Sequence, residues 1–358
     1  MDSYERFVRC LEFEEPDRVA TWDLINDVGI YRGLGGTGPV EEVVPRAFSR
    51  LGVDATRTSI ELPPTENKVW RDNKVNYMIC NEQFTFKTIP EEGTTWIAET
   101  PFKTIEDLRE IRLDPLPESE ILEDFIPTMK RFIESYRKFG VVYIFCGSVI
   151  FDMAFWLLGW QLFIRALYQA RDEIRKLLDK FTSVQEILAK AWVEFDQPAY
   201  MYGDDIAYKH GLLISPRFLR EEWLPRIRRV IAPIKRKGIK TLFHSDGNLW
   251  GFLDDLIEAG FEGINPLEPI AGMDIGEVKE KYGDKLVLLG GIDCSHTLPL
   301  GSTQDVEKAV IKAIKEGAPG SGFCLGSSSE IRTGTPLANA VAMFRAAAKH
   351  GRYPLTVG

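Results

Sequence analysis

Apolar positions along the chain fall into two alternating textures. Short β-branched or aromatic runs, "VVYIFCG" (141–147), "PAYMYGDD" (198–205), "KTLFHSDG" (240–247), "EGINPLEP" (262–269), "KLVLLGGID" (285–293) and "GFCLGSS" (322–328), read as strands. Between them lie longer segments with helical spacing, among them "LFIRALYQARDEIRKLLDKFTSVQEILAKAWVEF", "SPRFLREEWLPRIRRVIAPIKRKG" and "NLWGFLDDLIEAG". Ser215-Pro216 has the form of an N-cap followed by Pro at the first helical position, and Gly238, Gly260, Gly283 and Gly317 stand where helices end.

Strand–helix alternation implies a parallel sheet, and near-continuous apolar strands imply burial on both faces. Two earlier candidates, "VATWDLI" (19–25) and "VDATRTSI" (53–60), bring the strand count to eight. Eight points to an α/β fold of the closed (β/α)8 type, a TIM barrel, formed as a single domain over residues 1–358; an open doubly wound sheet is the rival, but no GxGxxG loop opens a strand-to-helix turn. Residues 61–101 alternate aromatic and polar positions and predict an antiparallel excursion from the barrel.

Composition narrows the partners. Lys and Arg number 44 against 53 Asp and Glu, a net charge of -9, with no basic run to grip nucleic acid or an anionic membrane. The charged opening "MDSYERFVRC" is unlike a signal segment, no apolar run approaches a membrane span, and a cytoplasmic location is the expectation. The five cysteines, an odd number without a CxxC pair, fit reduced thiols, with Cys294 and Cys324 expected to be buried.

A barrel of this type carries its chemistry at the C-terminal strand ends. Those ends are acidic: Asp23 and Asp27, Asp204 and Asp205, His244 and Asp246, Glu268, Asp293, then Ser327, Ser328, Ser329 and Glu330. His244 and Asp246 at i and i+2 on a strand share a side, and could ligate one metal ion or form a proton-transfer pair. The plainer alternative makes Asp246 the cap of a helix beginning at "NLWGF". Adjacent strand residues face opposite ways, so at most one of Asp204 and Asp205 points inward, Asp205 by preference, while the other caps a helix or meets solvent. Glu221 and Glu222, on an Arg-rich helix, have ion pairing with Arg217 or Arg226 as the alternative to ligation. Phe151 and Trp156, in an aromatic cluster after the third strand, are core or the wall of a substrate pocket.

"GLLISPRFLREEWLPRIRRVIAPIKRKGIKTLFHSDGN", "LIEAGFEGINPLEPIAGMDIGEVKEKYGDKLVLLGGID", "GTPLANAVAMF" and the opening "ERFVRCLEFEEPDRVATWD" resemble the uroporphyrinogen decarboxylase superfamily along nearly the whole chain. The resemblance implies a barrel with its cleft at the C-terminal rim and either of two chemistries: cofactor-independent decarboxylation, or zinc-dependent methyl transfer involving a corrinoid protein. The decarboxylase motif is missing after the first strand, where Arg32 is the sole candidate cation, and Ser329 stands where those enzymes carry His. Thiol-methylating members hold zinc with His-x-Cys and a later Cys; here Asp246 replaces the first Cys and Ser329 or Glu330 the second. Members acting on methyl ethers use a carboxylate-rich site, and Asp205, Glu221 and His244 follow that order.

The expectation is therefore a methyltransferase acting on a small methylated compound, a methoxylated aromatic being the favoured class. His244, Glu221 and Asp205 are expected to hold zinc, with His244, Asp246 and Asp205 catalytic. Phe151, Trp156, Trp250, Ser329 and Glu330 are expected to line the substrate site. The corrinoid would come on a separate protein, and the oligomeric state is open, a homodimer included. A tetrapyrrole-type decarboxylase and a barrel that binds without turnover are the rivals.

Overall fold

The computed structural model describes residues 1–57, 73–76, 83–89, 94–99, 102–111, 117–148 and 150–356. Eight parallel strands form a closed ring: β1 (Ala20–Thr21), β2 (Ala55–Thr56), β3 (Val142–Tyr143, continuing as Cys146–Ser148), β4 (Ala199–Gly203), β5 (Lys240–His244), β6 (Gly263–Leu267), β7 (Val287–Ile292) and β8 (Phe323–Ser327). β8 meets β1 through Ala20↔Cys324 and Thr21↔Leu325, a bridge from Trp22 to Ala55 joins β1 to β2, and Ala55↔Val142 joins β2 to β3. This is the (β/α)8 barrel that alternation predicts. β4, β6, β7 and β8 are buried at every position, as strands sandwiched between barrel interior and outer helices must be.

Asn73–Asn76, Gln83–Ile89 and Thr94–Glu99 make a three-stranded antiparallel sheet, the excursion expected in 61–101; the rest of that stretch lies outside the described residues. Among the described residues no helix is long and apolar enough to cross a membrane.

The long periodic segment after β3 is two helices, Phe151–Gln169 and Arg171–Trp192, and within the first Gly159 at φ 71° interrupts the helical path. Ser215 caps the next helix by accepting from Phe218 N, but a π-turn, Leu219–Trp223, then precedes Leu224–Arg236. The helix expected from Asn248 begins only at Leu253 and ends at the left-handed Gly260.

The N-terminal ends of the strands are closed by the helix Ser3–Leu11, which packs on β1, β2, β3 and β8. Its Arg6 donates to Asp54 Oδ1 at 2.6 Å, while Arg18 and Thr21 N hold the other oxygen at 2.9 and 3.0 Å. Asp54 is fully buried, and a buried carboxylate is tolerated only when paired and hydrogen-bonded in this way. The base of the barrel is thereby a structural seal, and the opposite rim is left for chemistry.

Candidate metal and active site

β5 delivers His244 as its last residue, and the loop that follows turns Asp246 toward it. Gly247 makes that turn at φ 91°, where any Cβ would stand 2.6 Å from Tyr208 N, so only glycine fits. Its N–H donates to Glu268 Oε2 at 2.8 Å, and the N–H of Asp246 donates to Asp205 Oδ1 at 3.0 Å. Asp205 follows β4; its own N–H donates to Asp152. One ligand atom from each of Asp205, His244 and Asp246 lies within 4.8 Å of the others.

The imidazole is oriented from β6. Asn265 Oδ1 lies 2.7 Å from His244 Nδ1, and the Asn265 amide nitrogen, 3.5 Å from Leu289 O, turns the oxygen toward the ring. Nδ1 therefore carries the proton and Nε2 the lone pair, as in a histidine prepared for a metal. Burial, with the Arg57 charge beside it, holds His244 well below the usual histidine range, so it is neutral. Burial pushes the Asp246 carboxyl up, and Asp205 and Glu268 push it the same way. Burial raises Asp205 as well. Asp246 Oδ2 has Ser329 Oγ at 3.4 Å, while Oδ1 is buried without a hydrogen-bond partner.

These residues fit a divalent cation. Three donors, one nitrogen and two carboxylates, converge as in catalytic zinc sites, which keep a further position for a reactant. A cation would satisfy the unpartnered Asp246 oxygen and relieve the mutual repulsion of the carboxylates.

Other expected site residues stand elsewhere. Glu221 is exposed and held by Arg171 at 2.8 Å and Arg217 at 2.7 Å; it lines an open cavity of about 830 Å³ beside the rim, with Tyr168, Phe218 and Asn248, that includes none of the three converging residues. Glu221 is not among the converging residues, where Asp246 stands instead, and Arg171 and Arg217 hold its carboxylate. Glu222 is buried against Arg171, Arg175 and Arg226. Phe151 is 1% exposed and packed edge-on to Phe163, so it is core and no pocket wall. Trp156, on the same helix, is 42% exposed. Trp250 is half-buried against the core, donating to Gly272 O with Lys281 over its ring. Glu330 stands near Asp23 and Tyr31, both of which it pushes up after burial has done so.

Much of the acidic rim is structural. Asp204 accepts from Ile150 N, Phe151 N and Asp152 N at a helix start and from Tyr202 and Trp223; Asp27 accepts from Ile30 N, and Asp293 from Ser295 N, His296 N and Thr297 N. Asp23 accepts from Ser327 N and Oγ across the β8–β1 seam.

Three residues without a motif complete the site: Asn265, Cys146 and Arg57. Arg57, just past β2, places Nη1 3.4 Å from Cys146 Sγ and Nη2 3.0 and 3.2 Å from the two ring nitrogens of His244. It is a cation at a rim whose strand ends are otherwise acidic. The sequence carries no signal for it, because the candidate strand 53–60 places Arg57 inside the expected strand and not at its end.

A profile described as "Uroporphyrinogen decarboxylase (URO-D)" matches residues 82–350. Methylcobamide:CoM methyltransferase MtaA of Methanosarcina barkeri is 29% identical over 166 residues, 45% of this chain and 47% of that protein. A uroporphyrinogen decarboxylase of Coxiella burnetii is 25% identical over 185 residues, 50% of this chain and 48% of its own. The chain thus spans about half the length of these curated relatives. A methyltransferase from Methanosarcina mazei has the same fold, with a TM-score of 0.73 at 20% identity over 98% of this chain and 99% of that one. With a profile match that takes in most of the chain, the protein belongs to the uroporphyrinogen decarboxylase family.

Proposed function

We propose that the protein is the methyltransferase component of a corrinoid-dependent demethylation system, moving a methyl group from a small methylated compound, a methoxylated aromatic first among the candidates, to a corrinoid carried by a partner protein. The observation that carries this reading is the convergence of Asp205, His244 and Asp246 at the barrel mouth. A relative named as a methylcobamide methyltransferase supports it.

In this reading His244, Asp205 and Asp246 hold zinc, which when bound supplies Lewis acidity toward the oxygen that loses its methyl group. Asn265 fixes the ring so that Nε2 is the ligating nitrogen, and Ser329 steadies one oxygen of Asp246. Carboxylates in place of thiolates make a harder donor set, suited to an oxygen-bound methyl group more than to a thiol acceptor.

Zinc content and methyl transfer to a reduced corrinoid, compared between the wild type and His244→Ala, test the proposal. Stoichiometric zinc that is lost in the variant together with activity is expected; no zinc and an unaffected variant would overturn it. The decarboxylase reading keeps one specific support, the Arg57 cation at the rim, and release of carbon dioxide from uroporphyrinogen would establish it in place of methyl transfer.

A further inference from the structure

Arg57 has a geometry that its contacts with His244 alone do not explain. A donor in line with the lone pair of one imidazole nitrogen stands far from the other nitrogen, yet Nη2 is nearly equidistant from both, at 3.0 and 3.2 Å. The guanidinium therefore lies against the ring rather than in line with either nitrogen lone pair. Its third nitrogen is the informative one: Arg57 Nε is buried and has no hydrogen-bond partner. Arginine presents its donors in a rigid fork, so an unused buried N–H marks a direction from which an acceptor is to arrive.

Two unpartnered buried atoms thus share one small site, the acceptor Asp246 Oδ1 and the donor Arg57 Nε–H. A cation answers the first. The second calls for an oxygen that is, or becomes, negatively charged. Resting on the methyltransferase reading above, we propose that Arg57 is the residue that receives the oxygen from which the methyl group leaves. In the step the methyl–oxygen bond breaks with both electrons remaining on oxygen, while Co(I) of the partner's corrinoid donates the electron pair of the new cobalt–carbon bond and becomes formally Co(III). The resulting phenolate or alkoxide accepts the Arg57 Nε–H and takes its proton from solvent after release. A guanidinium already in place, needing no reorganisation as charge develops, is the arrangement that favours such a transition state.

The placement has a cost that makes it testable without turnover. Arg57 is a positive charge against a ligating ring, so it opposes a divalent cation while it attracts an oxyanion. Removing it is expected to move two affinities in opposite directions, which a loss of structure does not do. Zinc affinity by chelator competition, and binding of 4-nitrophenolate followed by its visible absorbance, are measured on wild type, Arg57→Met and Arg57→Lys. In Arg57→Met zinc is expected to bind at least about 10-fold tighter and, in zinc-saturated protein, the phenolate at least about 10-fold weaker; Arg57→Lys, which keeps the charge and loses the fork, recovers the zinc affinity of the wild type and only part of the phenolate affinity. Both ligands weakening together, neither changing, or a wild type that binds zinc and no phenolate would overturn the assignment and leave the metal reading standing. Zinc bound by none of the three proteins would overturn both.

Discussion

Asn265 decides which nitrogen of His244 is available, and it does so from a neighbouring strand with one 2.7 Å contact. Partners of this kind are worth about 10–100-fold in metal affinity. Asn265→Ala is accordingly expected to weaken zinc binding by at least about 10-fold, read by chelator competition, with the melting temperature little changed. The same scale separates the two donor sets. Asp246→Cys restores the His-x-Cys pair of the thiol-methylating relatives, and it is expected to tighten zinc binding and, with cobalt(II) as probe, to add a sulfur-to-metal charge-transfer band. The band's absence would mean that position 246 does not face the ion. His244 and Asp246 were legible in the sequence because they sit two apart at a strand end. Arg57 was not: it lies 187 residues from His244, and only the closing of the ring brings β2 and β5 to one mouth. Asn265 hides for another reason, since an asparagine inside an apolar run carries no pattern of its own.

At the level of elements, the adjacent pair Asp204 and Asp205 shows how one strand end can serve both architecture and chemistry. Asp204 gathers three backbone N–H groups, a tyrosine hydroxyl and an indole N–H in a fully buried place. Asp204→Ala leaves those donors unsatisfied and is expected to cost about 3 kcal/mol or more in denaturant unfolding. Glu221→Ala, by contrast, is expected to leave zinc affinity within twofold of the wild type, and a large loss would reinstate Glu221 as a ligand. The helix that bears it defeats simple periodic reading. The π-turn Leu219–Trp223 inserts one residue into the turn, shifting which positions face inward, and it brings Trp223 Nε1 to 2.7 Å from Asp204. Strands from β3 onward were plain in the apolar pattern because they are buried on both faces. Helix starts were less so: the backbone after Asp246 turns through Gly247 and Asn248 before a helix forms at Leu253, a tertiary arrangement that local spacing does not encode.

For the whole molecule, closure of the ring depends on the seam between β8 and β1, where Asp23 accepts both the backbone and side chain of Ser327 at 2.9 and 2.6 Å. Burial lifts the Asp23 carboxyl from 3.8 to about 7. Because the folded-state value is raised, the native protein holds a proton that the unfolded chain releases between those limits. The contribution of this group to stability is therefore full below about pH 4 and falls as pH rises to about 7. Asp23→Asn, which cannot ionise, is expected to flatten that part of the pH–stability curve measured by denaturant unfolding; an unchanged slope would show that Asp23 does not hold the proton. The eight-stranded architecture was readable because alternation alone limits the topologies. The seam was not, since Asp23 and Ser327 are 304 residues apart.

The ring is also uneven. β1 and β2 have two residues each and β3 is split, whereas β4 to β8 run five or six residues each, with a register shift between β6 and β7. Backbone amides in β5, β6 and β7 are expected to resist exchange with deuterium longest, and those of β1 and β2 to exchange earliest. On that expectation the barrel opens first at the arc of short strands, and Arg57, at the end of β2, would then meet the long-stranded wall bearing His244 and Asp246 from the side that exchanges earliest.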